Sequence, residues 1–455
     1  MKVFEIETTN ERILPNSGIA LVGAILEQGG FIERANKADV TGKRSGNQIK
    51  DGEIFATFIA LCCMGKPDFA AVHEMDDDPE SYRLSLGLSR IPSEEALRQR
   101  MDKTGRSKRG SLLEENARLL KANGCIPSKL PSGYVPLDID VTPQDNSKTK
   151  KEGVSRTYKG YDGMAPMMGY IGTEGYMVNT ELREGKQHCQ KHTPEFLKET
   201  IGLCKKLVSD PLLVRLDSGN DAAENIGILM DEGCSFIIKR NLRQESREGW
   251  LDHVRGCCKD MTEPREGKTV YTGSTWKDVS WKGVDGAVCT RKIRAVYEIT
   301  ERSIDKHGQF LLPHDVEVDM YWTNTSFSDR EVIDSYHAHG ESEQYHSEFK
   351  DDMDIERLPS GKFDTNELVM ELGMIAYNIL RMIGQESLGC NDTPMKRPVK
   401  RRRLRTVIEN LVMMASHVTT HARRIIIGLG RSNAWRHAFQ RIYTAFVDFP
   451  VYTAG

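Results

Sequence analysis

The stretch VPLDIDVTP, residues 135–143, alternates strictly. Leu137, Ile139 and Val141 fall on one face of an extended chain, and Asp138, Asp140 and Thr142 on the other. A strand with a row of acids on one side is an unusual core element, and its surroundings say what it belongs to. MAPMMGYIGTEGYMVNTELREG (164–185) reads as further strands with glycine turns. HTPEFLKETIGLCKKLV (192–208) has the apolar spacing of an amphipathic helix. PLLVRLDSGND (211–221) is an apolar strand ending in Asp217-Ser218-Gly219, AAENIGILMDEGC (222–234) a helix, and SFIIKRN (235–241) a strand. Strands alternating with helices make an α/β sheet, and Asp217 sits at a C-terminal strand end, where open α/β sheets place their ligands.

Outward from this core the character changes. Residues 1–130 read mostly helical: IALVGAILEQGGFIERA and GEIFATFIALCCMG have helical apolar spacing, with GG and GKP as breaks. In IPSEEALRQRMDKTG, Ser93 is an N-cap, Leu97 and Met101 form an apolar pair, and Arg98 and Arg100 lie on the outer side. This suits a DNA-reading helix or an ordinary surface helix. Residues 241–325 start with a charged loop, REGWLDHVRG. They continue as antiparallel strands rich in β-branched and aromatic residues, KTVYTGSTWKDVSW, AVCTRKIRAVYEITERSI and HDVEVDMYWTN. Helix returns at Ser328, where Ser328 and Glu331 form a capping box, and FDTNELVMELGMIAYNILRMI is a long buried helix. Five segments follow: a helical N-terminal domain (1–130), an α/β core in two halves (131–240 and 326–394), a β insertion (241–325) and a C-terminal region (395–455).

At 455 residues, 38% hydrophobic and 28% charged, the composition is that of a soluble multidomain protein. No apolar run is long enough to span a membrane, and MKVFEIETTNERILP has no apolar stretch behind Lys2 to make a signal peptide; a cytoplasmic protein is expected. The ten cysteines show no Cys-x-x-Cys spacing, and His188, Cys189 and His192 in GKQHCQKH read as a polar loop rather than a zinc site. The net charge of −3 hides an asymmetry. Met395 to Arg441 holds twelve Lys or Arg against one acid, Glu409, a net +11, which leaves −14 for the remainder. A polyanion is the expected partner of that basic region, with Arg401, Arg402 and Arg403 its densest run.

YHAHGESEQYHSEFK (336–350) crowds three glutamates, three histidines and a lysine into fifteen residues. On a regular helix, with Tyr336 at zero, His339, Glu343 and Lys350 fall at roughly 300°, 340° and 320°, one narrow stripe. Glu341 and Glu348 fall at roughly 140° and 120°, on the far side. Glu343 is thereby set apart as a third acid beside Asp217 and one of Asp138 or Asp140. Three carboxylates brought together repel one another unless a cation joins them. A hard divalent ion with oxygen ligands suits such a set, and two of them can drive phosphodiester chemistry.

These residues carry a resemblance. The chain is similar to DDE transposases of bacterial insertion sequences, most of all to the insertion sequence 1380 family. That clan has a Tyr-x2-Arg-x3-Glu-x6-Lys signature, matched here in spacing by Tyr336, His339, Glu343 and Lys350, with histidine in the arginine position. Its first aspartate lies in an Asp-x-Thr strand, which selects Asp140 of Asp140-Val141-Thr142, and its second in a turn matching Asp217. The similarity runs nearly the whole length, through AYNIL (376–380) to the basic tail.

The resemblance implies a ribonuclease H-like core with a β insertion between Asp217 and Glu343. Two Mg²⁺ ions, or Mn²⁺, would be held by Asp140, Asp217 and Glu343. It implies cut-and-paste transposition by a homodimer on double-stranded DNA, at terminal inverted repeats and target, in a bacterial cytoplasm. Tyr336, His339 and Lys350 would contact phosphates near the element's end. An insertion aromatic, Trp276 or Trp281, would receive a flipped base unless both are sheet core, the reading preferred here. Histidine lacks arginine's permanent charge and forked donor, so His339 bears on the activity and its pH range. The alternatives are a metal nuclease without strand transfer and a catalytically inactive DNA-binding descendant.

Overall fold

The computed structural model describes residues 6–37, 48–258, 260–283, 286–395, 398–421 and 424–448. Lys2, and Lys396, Arg397 and Arg423 of the basic region, lie outside these. The chain divides into two compact units. One comprises residues 127–143 and 165–345, the other residues 1–126, 144–164 and 346–455.

The first of these is built on a nine-stranded sheet. Its strands are β1 (Val135–Val141), β2 (Met167–Ile171), β3 (Tyr176–Glu181), β4 (Leu212–Leu216) and β5 (Ser235–Lys239), followed by β6 (Asp260–Arg265), β7 (Lys268–Lys282), β8 (Val288–Ile304) and β9 (Phe310–Thr323). The spatial order is β6-β7-β8-β9-β5-β4-β1-β2-β3. β1, β2 and β3 form an antiparallel meander, while β4 runs parallel to β1 and β5 parallel to β4. The crossovers that parallel strands require are helices α1 (Thr193–Leu207) and α2 (Ala223–Asp231). β9 then joins β5 antiparallel, so the insertion extends the same sheet.

REGWLDHVRG is not a loop. It forms α3 (Arg247–Cys257), with the Ser246 hydroxyl accepting from the Gly249 amide at 3.1 Å and Leu251 and Val254 buried. The charges masked a short apolar stripe three residues apart. The two insertion tryptophans also differ. Trp281 is 7% exposed and Trp276 is 63% exposed. They stand an odd number of residues apart on β7, so the pleat sends them to opposite faces and both cannot be core.

The capping box at Ser328 and Glu331 opens α4 (Asp329–His337). Val332 and Ile333 bury it against Leu213, Ile237, Val296 and Tyr321 of the sheet. The helix does not continue evenly. Ala338–Gly340 tightens into a 3₁₀ turn, α5 (Glu341–Ser347) follows, and Glu348–Asp352 widens into a π turn. Each change alters the angular step per residue, so one uniform stripe from Tyr336 to Lys350 does not survive.

The other unit is mainly helical. Its central helix, Phe363–Glu386, is buried over most of its length, and Asp51–Cys63 is buried throughout. Ser93 caps the helix Glu94–Thr104, with Leu97 and Met101 buried. Arg100 is not on the outer side: its guanidinium pairs with buried Asp51 at 2.7 Å. Ile13–Leu14, Ser416–His421 and Arg424–Leu429 make a small sheet, so the apolar runs of the basic region are folded structure. No helix among the described residues is long and apolar enough to cross a membrane.

Candidate active site

The parallel pairing of β1 and β4 positions the first two acids. Asp138 lies opposite Arg215 and Ile139 opposite Leu216. Asp138 and Arg215 meet on one face of the sheet, with Arg215 Nε and Nη2 donating to the two carboxylate oxygens at 2.6 and 2.7 Å. Asp140 and Asp217 each follow two residues later, so both fall on that same face, at adjacent strand ends.

Their charges interact. The Asp217 carboxyl is pushed up to about 6, by burial first and then by the neighbouring Asp140. Asn220 Nδ2 donates to Asp217 at 2.6 Å and holds the carboxylate in place. Tyr336, half-buried on α4, stacks on Tyr321 at 4.7 Å between ring centres. Its hydroxyl is pushed well above the ordinary tyrosine range, by burial and then by Asp217 and Asp140. Tyr336 therefore borders the same pair of acids.

His339 has a partner within the protein. It is 6% exposed, and its Nδ1 lies 2.8 Å from Asp138 Oδ1. Burial opposes the imidazolium, but Asp138 and Asp140 outweigh it, so the pKa is raised. Asp138 shows the mirror image: burial favours its neutral form, Arg215 and His339 favour the carboxylate, and the net shift is downward. Strand parity left Asp138 and Asp140 equivalent. In the structure Asp138 is held by Arg215 and His339.

Glu343 stands in the first turn of α5 and is exposed. Among the described residues no group of three His, Cys, Asp or Glu is gathered ready for a metal ion. Asp140 and Asp217 nevertheless fit one. Both offer hard oxygen donors, and their mutual repulsion is what a divalent cation relieves. The loop GKQHCQKH borders this site, with Cys189 Sγ donating to the Gly219 carbonyl and Gln190 Nε2 to that of Asp221.

Lys350 belongs to the other unit, in the π turn, where it pairs with Glu356 at 3.1 Å. Glu348, placed with Glu341 on the far side by the helix angles, is fully buried and ion-paired with equally buried Arg381. The basic run is less open than its sequence suggests. Arg402 is 4% exposed, donates to Ser387 and Thr393 at 3.2 Å, and stacks on Trp435. Arg401 is half-buried, and Arg403 forks onto Asp352 at 2.9 and 3.0 Å. Sequence reading missed Arg215 and Asn220. A lone arginine within the apolar LLVRL was a signal, since a buried charge requires a partner.

Comparison with known proteins decides the family. The family described as transposase DDE domain, group 1, matches residues 2–450. The chain belongs to that family. Asp140 and Asp217 are thus two aspartates at adjacent strand ends in a DDE transposase. No curated protein matches the sequence. Among solved structures, a piggyBac transposase synaptic complex with hairpin DNA aligns over 96% of this chain and 81% of that one. The identity is 9% and the TM-score 0.36, too low to assign a shared fold.

Proposed function

We propose that this transposase cuts and joins DNA at the ends of an insertion sequence of the 1380 type in bacteria. Asp140, Asp217 and Glu343 would be its metal-binding carboxylates. The observation that carries the reading is the repelling pair Asp140 and Asp217 at the ends of adjacent parallel strands, within a chain of this family. The strand order β3-β2-β1-β4-β5, a meander followed by two parallel strands, supports a ribonuclease H-like core.

When bound, two Mg²⁺ or Mn²⁺ ions would supply the charge that makes a water or 3′-hydroxyl nucleophilic and offsets the leaving oxygen. The chain's own part is positioning. Asp140 and Asp217 present oxygens from fixed strand ends, with Asp217 oriented by Asn220. Glu343, exposed in the first turn of α5, would complete the set once DNA is in place. Tyr336 offers a hydroxyl beside the carboxylates to the phosphates next to the scissile bond. Exposed arginines of the 395–455 region hold the flanking duplex, and two copies of the chain bring two ends together.

The test is incubation of the protein and Mg²⁺ with duplexes carrying the inverted repeats that flank its gene, plus a target plasmid. Expected products are breaks at the repeat boundary and joined end–target molecules. Breaks without joining would identify a metal nuclease. Binding without breaks would identify an inactive descendant.

A further inference from the structure

We propose that Asp138, Arg215 and His339 form a buried bracket that sets the spacing of the cation-binding carboxylates, with His339 a positioning residue rather than a phosphate contact. The proposal rests on the metal-binding reading of Asp140, Asp217 and Glu343 given above.

The three side chains are 2%, 3% and 6% exposed. Burying ions is costly, and apolar replacements of such clusters are often as stable. What an ionic cluster supplies and an apolar one does not is direction, because each hydrogen bond fixes an atom of one element against another. Here Arg215 grips both oxygens of Asp138, and its Nη1 donates to the Ser335 carbonyl at 2.8 Å. His339 closes the set on Asp138 Oδ1. Four places in the chain are thereby tied together: β1, β4, the end of α4, and the turn before α5.

Each of the four carries a site residue close by. Asp140 is two residues beyond Asp138, and Asp217 two beyond Arg215. Tyr336 follows Ser335, and Glu343 is one helical turn beyond His339. A shift of the bracket therefore moves every carboxylate of the site. A His339 turned out to reach a phosphate would give up Asp138 and leave that carboxylate with Arg215 alone. Groups that orient metal ligands from behind are worth about 10–100-fold in metal affinity.

The experiment uses the full chain. Mn²⁺ binding is counted from the free-ion electron paramagnetic resonance signal, DNA-end binding by fluorescence anisotropy in EDTA, and folding by circular dichroism. Asp217→Asn tests the metal reading itself and should lose the Mn²⁺ site. His339→Leu should weaken Mn²⁺ binding about tenfold or more and leave DNA affinity within about twofold. His339→Asn keeps a donor near the Nδ1 position and should stay within about threefold of wild type for Mn²⁺. If His339→Leu does not fold, Arg215→Lys carries the same expectation, since it keeps the charge and loses the fork. Mn²⁺ binding that depends on Asp217 yet is untouched by His339→Leu or Arg215→Lys overturns the bracket alone. So does a His339→Leu that loses DNA and keeps Mn²⁺, which is the phosphate contact. Asn and Leu losing Mn²⁺ equally also overturns it. Wild type and Asp217→Asn binding Mn²⁺ alike overturns the metal reading and the bracket with it.

Discussion

At the scale of single residues, Asp217 records the stress in the site. Its carboxyl is held near 6 by burial and by Asp140, above the ordinary aspartate value near 4. Between those two values the folded protein binds more protons than the unfolded chain, so stability falls as pH rises through the window. Without metal, the wild type should lose about 2–3 kcal/mol between roughly pH 4 and pH 7 that Asp217→Asn does not lose. Denaturant melts of both proteins in EDTA measure this. A difference independent of pH would mean that neither burial nor Asp140 raises the Asp217 carboxyl. Arg402 supplies a second residue-scale expectation. Its partners are Ser387, Thr393 and the Trp435 ring, so Arg402→Gln should destabilise by about 1–3 kcal/mol, read by thermal melting. An unchanged melt would place the side chain in solvent instead.

At the scale of elements, Gly340 marks the join between α4 and α5. An added Cβ there meets open space, and the backbone has no positive φ to protect. Gly340→Ala should therefore stabilise the protein by about 0.5–1 kcal/mol, as measured by urea unfolding, and a loss would show that the 3₁₀ turn needs glycine. This join also shows how far the sequence could be read. VPLDIDVTP, PLLVRLDSGND and the helix between them were legible because alternation and helical spacing are local signals, and the Ser328–Glu331 cap fixed where α4 begins. The turn of Ala338–Gly340 was not legible, because one glycine costs a helix about 1 kcal/mol and packing decides whether the helix bends there. The site was legible in part. Asp217 follows from a strand end and Asp140 only from the family resemblance, since alternation left it level with Asp138, and the capture of His339 by Asp138 depends on a contact between residues 201 positions apart, which no spacing rule reports. The charged helix Arg247–Cys257 was hidden for a related reason: its few apolar residues make a stripe only once there is a sheet to cover.

At the scale of the whole molecule, the net +11 of the basic region is partly spent inside the fold. Arg402 is buried, Arg403 and Arg405 share Asp352, and Arg441 forks onto Asp392. Exposed Arg424 and Arg431 are better placed to meet DNA. Replacing Arg424 and Arg431 together with glutamine should flatten the slope of log affinity against log salt by up to roughly 2 units. A slope that stays put would assign the duplex to another surface.

If Asp140, Asp217 and Glu343 act as one cation-binding set, cleavage of the flanking-repeat DNA in Mg²⁺ depends on all three. Asp140→Asn, Asp217→Asn and Glu343→Gln should each slow cleavage by about a thousandfold, near 4 kcal/mol of barrier, while binding the same DNA in EDTA within about threefold of wild type. Glu341→Gln, two residues from Glu343, should cleave at close to the wild-type rate. Glu343→Gln cleaving like wild type, or Glu341→Gln failing equally, would show that Glu343 is not the third carboxylate.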